Sequence, residues 1–281
     1  MALLQLLLAV LLPLLANASP VATTVPAGND VCLDEFSFRA VSTDINANAP
    51  STGLDKFSKK DLPIFFFHGI TFDHTHGANI EANITAEGRP FVALSFCEKE
   101  CSIKALSLQV PMAIAAIRDI VARHERFANG YIFVAHSQGG MIARSVIEQM
   151  DDHKVHTFVS LAGRRTKNFL KLKEAHFFAS PDDASLAPWQ TSVFGHYNDV
   201  KIFEDIESNF EDMNVLDMHD TVEYKEDTFG LRTLDERGGL FRYTPEKVHH
   251  LCWLFDFDLA SGDGKCKFRA VYDKYVYKVI S

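Results

Sequence analysis

Beyond its first 18 residues the chain has no apolar run long enough to cross a bilayer, and it has no internal repeat. It also lacks a stripe of Lys and Arg and any Cys or His cluster at metal-ligand spacing. Each absence excludes a class. A spanning helix needs roughly 20 apolar residues, so no stable membrane span is expected in the mature chain. The 28 basic residues are scattered among 37 acidic ones, for a net charge of -9, which leaves no electrostatic footprint for nucleic acid. Cys97 and Cys101 have no second ligand pair at matching spacing, so a zinc site is not expected. His74 and His76 flank Thr75 without a diagnostically spaced acidic or Cys partner, and they read as solvated loop residues.

What is present suits one globular α/β domain: 281 residues, 47% of them hydrophobic. The 23 Phe residues are expected mostly in the core. Residues 1–18 carry no charge and end in Ala16-Asn17-Ala18, a small-x-small pattern that marks a cleaved signal peptide with Ser19 beginning the mature chain. Residues 19–60 are polar and read as an N-terminal extension, and 61–281 as the folded domain. Secretion makes Asn83-Ile84-Thr85 a glycosylation acceptor. It also brings five cysteines, Cys32, Cys97, Cys101, Cys252 and Cys266, into an oxidising compartment, where two bridges and one leftover are expected. Cys252 with Cys266 would clip the loop around Gly262, and Cys97 with Cys101 would close a short ring; the pairing stays open.

Short apolar runs predict buried strands at 63–67, 91–96, 131–134, 157–161 and 176–179, with a further strand at 239–243. Helical spacing predicts a helix over 106–124, started or kinked by Pro111, and another over 141–150. Strands alternating with helices imply a mostly parallel sheet, in which ligands sit beyond the carboxyl ends of strands. His68, Ser137 and Asp183 all fall at such ends.

Ser137 lies in the frame Ala135-His136-Ser137-Gln138-Gly139-Gly140, between a strand and a helix. Small residues around a serine in that context form a nucleophile elbow, a tight turn that lifts the hydroxyl out of the sheet above a helix N-terminus. His68-Gly69-Ile70 closes an early strand, the position that supplies one oxyanion-hole amide, the second coming from the residue after the nucleophile. Those amides belong to Ile70 and Gln138. The acid and base should follow the serine in that order. Asp182 and Asp183 follow the fifth strand, and His249 and His250 follow the last. The doublets leave two choices for each role.

These residues resemble the palmitoyl-protein thioesterases. Phe67-His68-Gly69-Ile70, His136-Ser137-Gln138-Gly139-Gly140, Ser180-Pro181-Asp182-Asp183, Pro188-Trp189-Gln190-Thr191-Ser192-Val193-Phe194-Gly195 and Asp227-Thr228-Phe229-Gly230-Leu231 carry the likeness, which runs from about residue 63 to the end and lies nearer the second branch of that family than the first. The resemblance implies an α/β-hydrolase fold and a lysosomal or secreted enzyme that cleaves fatty acyl thioesters of S-acylated proteins, peptides or acyl-CoA. It implies a Ser137, Asp183 and His250 triad and no metal or organic cofactor. Family members carry a helical insertion over the site between the fourth strand and the acid. Here only 162–174 fills that interval, with Arg164, Arg165, Lys167, Lys171 and Lys173, so the helical lid is expected to be missing. An oxygen-ester lipase or esterase is the alternative activity, and a catalytically inactive, lidless binding protein the alternative class. Nothing in the sequence bears on oligomeric state.

Overall fold

The computed structural model describes residues 58–162, 169–198, 213–258 and 265–281. The expected signal peptide, most of the N-terminal extension and Cys32 lie outside these residues.

The strands are built from the apolar runs. β1 (Ile64–Phe67), β2 (Phe91–Ala93), β3 (Tyr131–His136), β4 (Val155–Leu161), β5 (Glu174–Phe178) and β8 (Leu240–Tyr243) form one sheet in the order β2-β1-β3-β4-β5-β8, with every neighbouring pair parallel. Two short antiparallel pairs lie outside it, β6 (His196–Tyr197) with β7 (Val215–Leu216) and β9 (Phe257–Asp258) with β10 (Lys265–Cys266). Parallel strands need crossovers, and helices α1 (Ala78–Ala86), α2 (Leu106–Arg123) and α3 (Gln138–Gln149) supply them.

Alternation along each strand divides the core into two layers. Phe65, Phe67, Phe133, Phe158 and Phe177 point to one face and pack with Val110 and Ile117 of α2 and Ile142 and Val146 of α3. Ile64, Phe66, Ile132, Val134, Val159 and Phe178 point to the other, against Ile80 and Ile84 of α1, Trp253 and the C-terminal helical run. Phe67 and Phe133 meet edge to face with centroids 4.8 Å apart, and Phe65 and Phe127 lie 4.7 Å apart. Burial on both faces explains why these strands read as unbroken apolar runs.

Two expected elements differ in extent by three residues at one end. β2 stops at Ala93 because the chain turns through Cys97, whose φ is 41°, into the Cys97–Cys101 disulfide. α3 begins at Gln138, three residues before its apolar period starts, since its first turn carries Gly139 and Gly140. Pro111 lies inside α2, in its second turn. The second disulfide joins Cys252 to Cys266 across the loop around Gly262. At the opposite end of the sheet from the site, buried Arg89 donates to the Ile280, Lys59 and Leu62 carbonyls and so ties both ends of the described domain together. Asn83 lies within α1, where its side chain meets the Asn79 carbonyl and Arg269. β4 and β5 are joined by 162–173, of which 163–168 lie outside the described residues. Among the described residues no helix is long and apolar enough to cross a membrane.

Candidate active site

β3 runs straight into α3 with one residue between them, and that residue is Ser137. Its backbone sits at φ 54° and ψ -124°, a region that costs a non-glycine residue about 1–3 kcal/mol. The surroundings hold it there. The Ser137 amide donates to the Leu161 carbonyl of β4 at 2.9 Å, and the Ser137 carbonyl accepts from Gly140. A Cβ on Gly139 would stand 2.5 Å from both the Phe67 and His68 carbonyl oxygens, so only glycine lets α3 approach the end of β1 this closely. A Cβ on Gly69 would stand 3.2 Å from the Ser137 Cβ. The loop after β1 is therefore packed directly against the serine.

Ile70 follows in that loop and is 40% exposed. The loop is pinned at Thr71, whose amide donates to the Ser102 hydroxyl at 2.6 Å. The Ser102 carbonyl in turn accepts from the Gln109 and Gln138 side-chain amides at 2.9 and 3.0 Å. One buried serine thus joins the loop carrying Ile70 to the residue after Ser137. It follows Cys101 without any motif of its own, so the sequence gives no sign of this role.

Asp183 follows β5 and His250 follows β8, and the pairing of these adjacent strands brings the two residues together. His250 Nδ1 lies 2.7 Å from Asp183 Oδ2, with both side chains buried. A carboxylate only accepts, so Nδ1 carries a proton, and in the neutral ring this leaves the lone pair on Nε2. The other Asp183 oxygen accepts from the Ser185 amide at 2.9 Å. The neighbours of these two residues do other work. Exposed Asp182 accepts from the Lys247 amide at 2.6 Å, and His249 stacks on Phe257 with centroids 4.0 Å apart. The structure thus separates the members of each doublet.

His136, the residue before the serine, also reaches this loop. It is buried, its Nε2 lies 2.9 Å from the His250 carbonyl oxygen, and the two rings are 4.8 Å apart. Burial, with His250 and His76 nearby, holds its imidazole down to about 3 in spite of that hydrogen bond. His68, in contrast, turns its Nε2 to the Phe96 carbonyl at 2.9 Å and takes part in loop structure.

The histidines expected as solvated are half-buried instead. His74 Nδ1 pairs with Glu98 at 2.6 Å, and His76 stacks on Phe72 with its Nδ1 3.1 Å from Asp73. Each carboxylate was too far in sequence, or too ordinary in spacing, to register as a partner. Burial opposes charge on Asp73, but hydrogen bonds from Thr75 and His76 bring it down to about 2. Among the described residues no group of three or more His, Cys, Asp or Glu is arranged to hold a metal ion.

A palmitoyl protein thioesterase family model matches residues 63–166 and 164–250, in two pieces that meet between β4 and β5. Lysosomal thioesterase PPT2-B of Xenopus laevis is 38% identical over 89 residues, a local match covering 32% of this chain and 27% of that protein. Lysosomal thioesterase PPT2 of Homo sapiens is 23% identical over 265 residues, covering 68% of this chain and 82% of that one. Among solved structures, a CIB-like hydrolase of Thermoplasma acidophilum is 13% identical with a TM-score of 0.40, covering 69% of this chain and 79% of its own. An extracellular α/β-hydrolase from a Paenibacillus species is 11% identical with a TM-score of 0.34, covering 68% and 91%. With the family model spanning well over half of its length on a parallel sheet of α/β-hydrolase order, this chain belongs to the palmitoyl protein thioesterase family and is a hydrolase enzyme.

Proposed function

We propose that this protein cleaves fatty acyl thioesters, of S-acylated proteins or peptides or of acyl-CoA, with Ser137 as nucleophile, His250 as general base and Asp183 as the acid that orients it. The observation that carries the reading is the buried 2.7 Å contact between Asp183 and His250, on a loop hydrogen-bonded to the residue that precedes a strained serine.

In the proposed reaction His250 Nε2 takes the Ser137 proton as the Oγ attacks the thioester carbonyl, while Asp183 holds the imidazole tautomer. The Ile70 and Gln138 amides stabilise the oxyanion; the first backbone N–H of α3 adds the favourable end of the helix dipole. The C–S bond breaks as the carbonyl re-forms, leaving an acyl-serine. The departing thiol has an ordinary pKa near about 8.5, so it leaves as thiolate more readily than an alkoxide would. The thiolate takes up the proton held by His250, which as a neutral imidazole then deprotonates a water for attack on the acyl-serine and, as the acyl C–O bond breaks, gives that proton back to the Ser137 Oγ with release of the fatty acid. No step calls for a metal or organic cofactor.

The relatives are named lysosomal thioesterases. The leader-like residues 1–18 and the two disulfides fit the same secretory route, to the lysosome or outside the cell. The test uses the full mature chain with octanoyl thioester and octanoyl oxygen-ester substrates, alongside a fluorophosphonate probe. A higher kcat/KM on the thioester and labelling lost in Ser137→Ala support the reading. Faster oxygen-ester cleavage would make the protein an esterase. Absence of labelling in folded protein would make it an inactive binding protein.

A further inference from the structure

We propose that His136 is the positioning residue for the catalytic histidine, setting His250 against Ser137 through a single side-chain-to-main-chain hydrogen bond. The inference rests on the assignment of Ser137 and His250 above.

His136 is the last residue of β3, paired in register with Leu161, and it adjoins the nucleophile in the chain. Strand alternation sends its side chain to the face of Ile132 and Val134, where the loop bearing His250 crosses. Three contacts fix the ring. Its Nε2 lies 2.9 Å from the His250 carbonyl oxygen; since that oxygen only accepts, Nε2–H must be the donor. One face lies nearly parallel to Phe72, at 10° and 5.9 Å, and Phe72 is itself stacked on His76. The Nδ1 edge closes on the loop after β1, where a Cβ on Gly69 would stand 3.3 Å away. One imidazole therefore touches the loops that carry the base and the Ile70 amide, and its own backbone carries the nucleophile.

The target of the bond matters. By holding the His250 main chain and not its ring, His136 leaves Nδ1 of His250 to Asp183 and Nε2 to the serine proton. The His136 Nδ1 is buried and meets no hydrogen-bond partner among the described residues, so a proton there would go unsatisfied and the neutral Nε2–H ring is favoured. Burial, with His250 and His76 as the titratable groups around it, disfavours the charged form. His250 is itself paired with Asp183, and His76 with Asp73.

Three substitutions in the full chain separate positioning from packing. In His136→Gln the amide nitrogen can stand near the position of Nε2 and still donate. In His136→Asn it is too short to reach, and His136→Phe keeps the ring without a donor. With octanoyl-CoA as substrate, Asn and Phe should lower kcat on the order of 100-fold with KM little changed, the scale of a catalytic group displaced by about 1 Å. Gln should recover most of the loss. The His250 Nδ1 proton, observed as a downfield resonance by proton NMR, should stay in place in Gln and shift or broaden in Asn and Phe. Wild-type kcat in folded Asn or Phe, or a Gln variant as slow as Asn, would overturn the proposal. If Phe fails to fold, the contrast between Gln and Asn decides. If wild-type protein hydrolyses no thioester, the functional reading fails, and a resonance unchanged across all variants would then defeat the positioning role on its own.

Discussion

The Asp182 carboxylate accepts the backbone amide of Lys247 at 2.6 Å, three residues ahead of His250. Lys247 has a φ of 59°, so a strained turn of the histidine loop is held by the aspartate that does not touch the histidine. Its neighbour Asp183 holds the ring. Asp183 thus acts on the His250 ring and Asp182 on the turn that precedes it.

That division sets the first prediction. In Asp183→Asn the remaining carbonyl oxygen can stay on the Ser185 amide while the NH2 group faces His250 Nδ1 and favours the wrong tautomer, so kcat should fall by about 10³- to 10⁴-fold, the scale for loss of an orienting acid. Asp182→Asn keeps an oxygen able to accept from Lys247 and should cost no more than about tenfold through loosened loop geometry. Steady-state kinetics on one thioester substrate decide the matter; comparable losses from both would reject Asp183 as the acid.

Ser137 supplies the second. Ser137→Ala should abolish fluorophosphonate labelling and turnover, while keeping the backbone strain. Ser137→Gly should be equally inactive but more stable, since glycine adopts the φ of 54° freely. Relief of about 1 kcal/mol corresponds to a rise in Tm of roughly 2–4 °C in a domain of this size. A glycine variant that melts at or below the alanine one would show that no strain is stored at the elbow.

A third concerns acid stability at the far end of the sheet. Burial pushes the Glu174 carboxyl up, but hydrogen bonds from His176, Lys59 and Thr157 outweigh it and hold the group down to about 2, against an ordinary 4.5. A depressed carboxylate pKa contributes stability that is fully present above the unfolded value and is lost as pH falls through the folded one. Glu174→Gln should therefore lower Tm by a similar amount across neutral and mildly acidic pH, and the deficit should shrink between about pH 4.5 and pH 2. A deficit that stays constant to the acid limit of folding would mean the pair contributes through shape and not charge.

Much of this architecture was legible in the residues. The runs around Phe65, Phe133, Phe158 and Phe177 read as strands because both faces of a parallel sheet are buried, and the small residues about Ser137 read as an elbow because α3 cannot otherwise approach β1. The Asp and His doublets did not resolve from the residues alone. Adjacent residues in a loop differ only in direction, and direction here is set by the turn at Ser180, which takes the Asp182 amide on its hydroxyl and the Asp183 amide on its carbonyl. β6, β7, β9 and β10, two residues each, are too short to show a period. The His136 bond was hidden because a histidine inside a nucleophile motif carries no mark of which distant carbonyl it will meet.

The last prediction concerns acyl chain length. Only residues 162–173 separate β4 from β5, and the alignment to the human relative runs over 265 positions while taking up 68% of this chain, so the relative contributes segments with no counterpart here. Around the proposed site Ile70, Ile103 and Leu108 are 40%, 47% and 58% exposed, and the Thr71 and Gln109 bonds to Ser102 place them in one neighbourhood. An acyl chain laid over such open aliphatic surface leaves much of itself in water. Each methylene fully moved from water to an apolar groove is worth about 0.8 kcal/mol, so two carbons should raise kcat/KM by roughly tenfold to fifteenfold wherever a groove encloses them. Acyl-CoA substrates kept below their critical micelle concentrations should instead show that gain only over short to medium chains, followed by a plateau. A steady rise through palmitoyl would show that other walls enclose the chain, with the 520 Å³ cavity lined by Trp189, Val193, Val215 and Leu216 and also by Gln190, Asp217, Arg242 and Thr244 as the first place to look. Trp189→Ala would then cut the long-chain rate and spare the short-chain one.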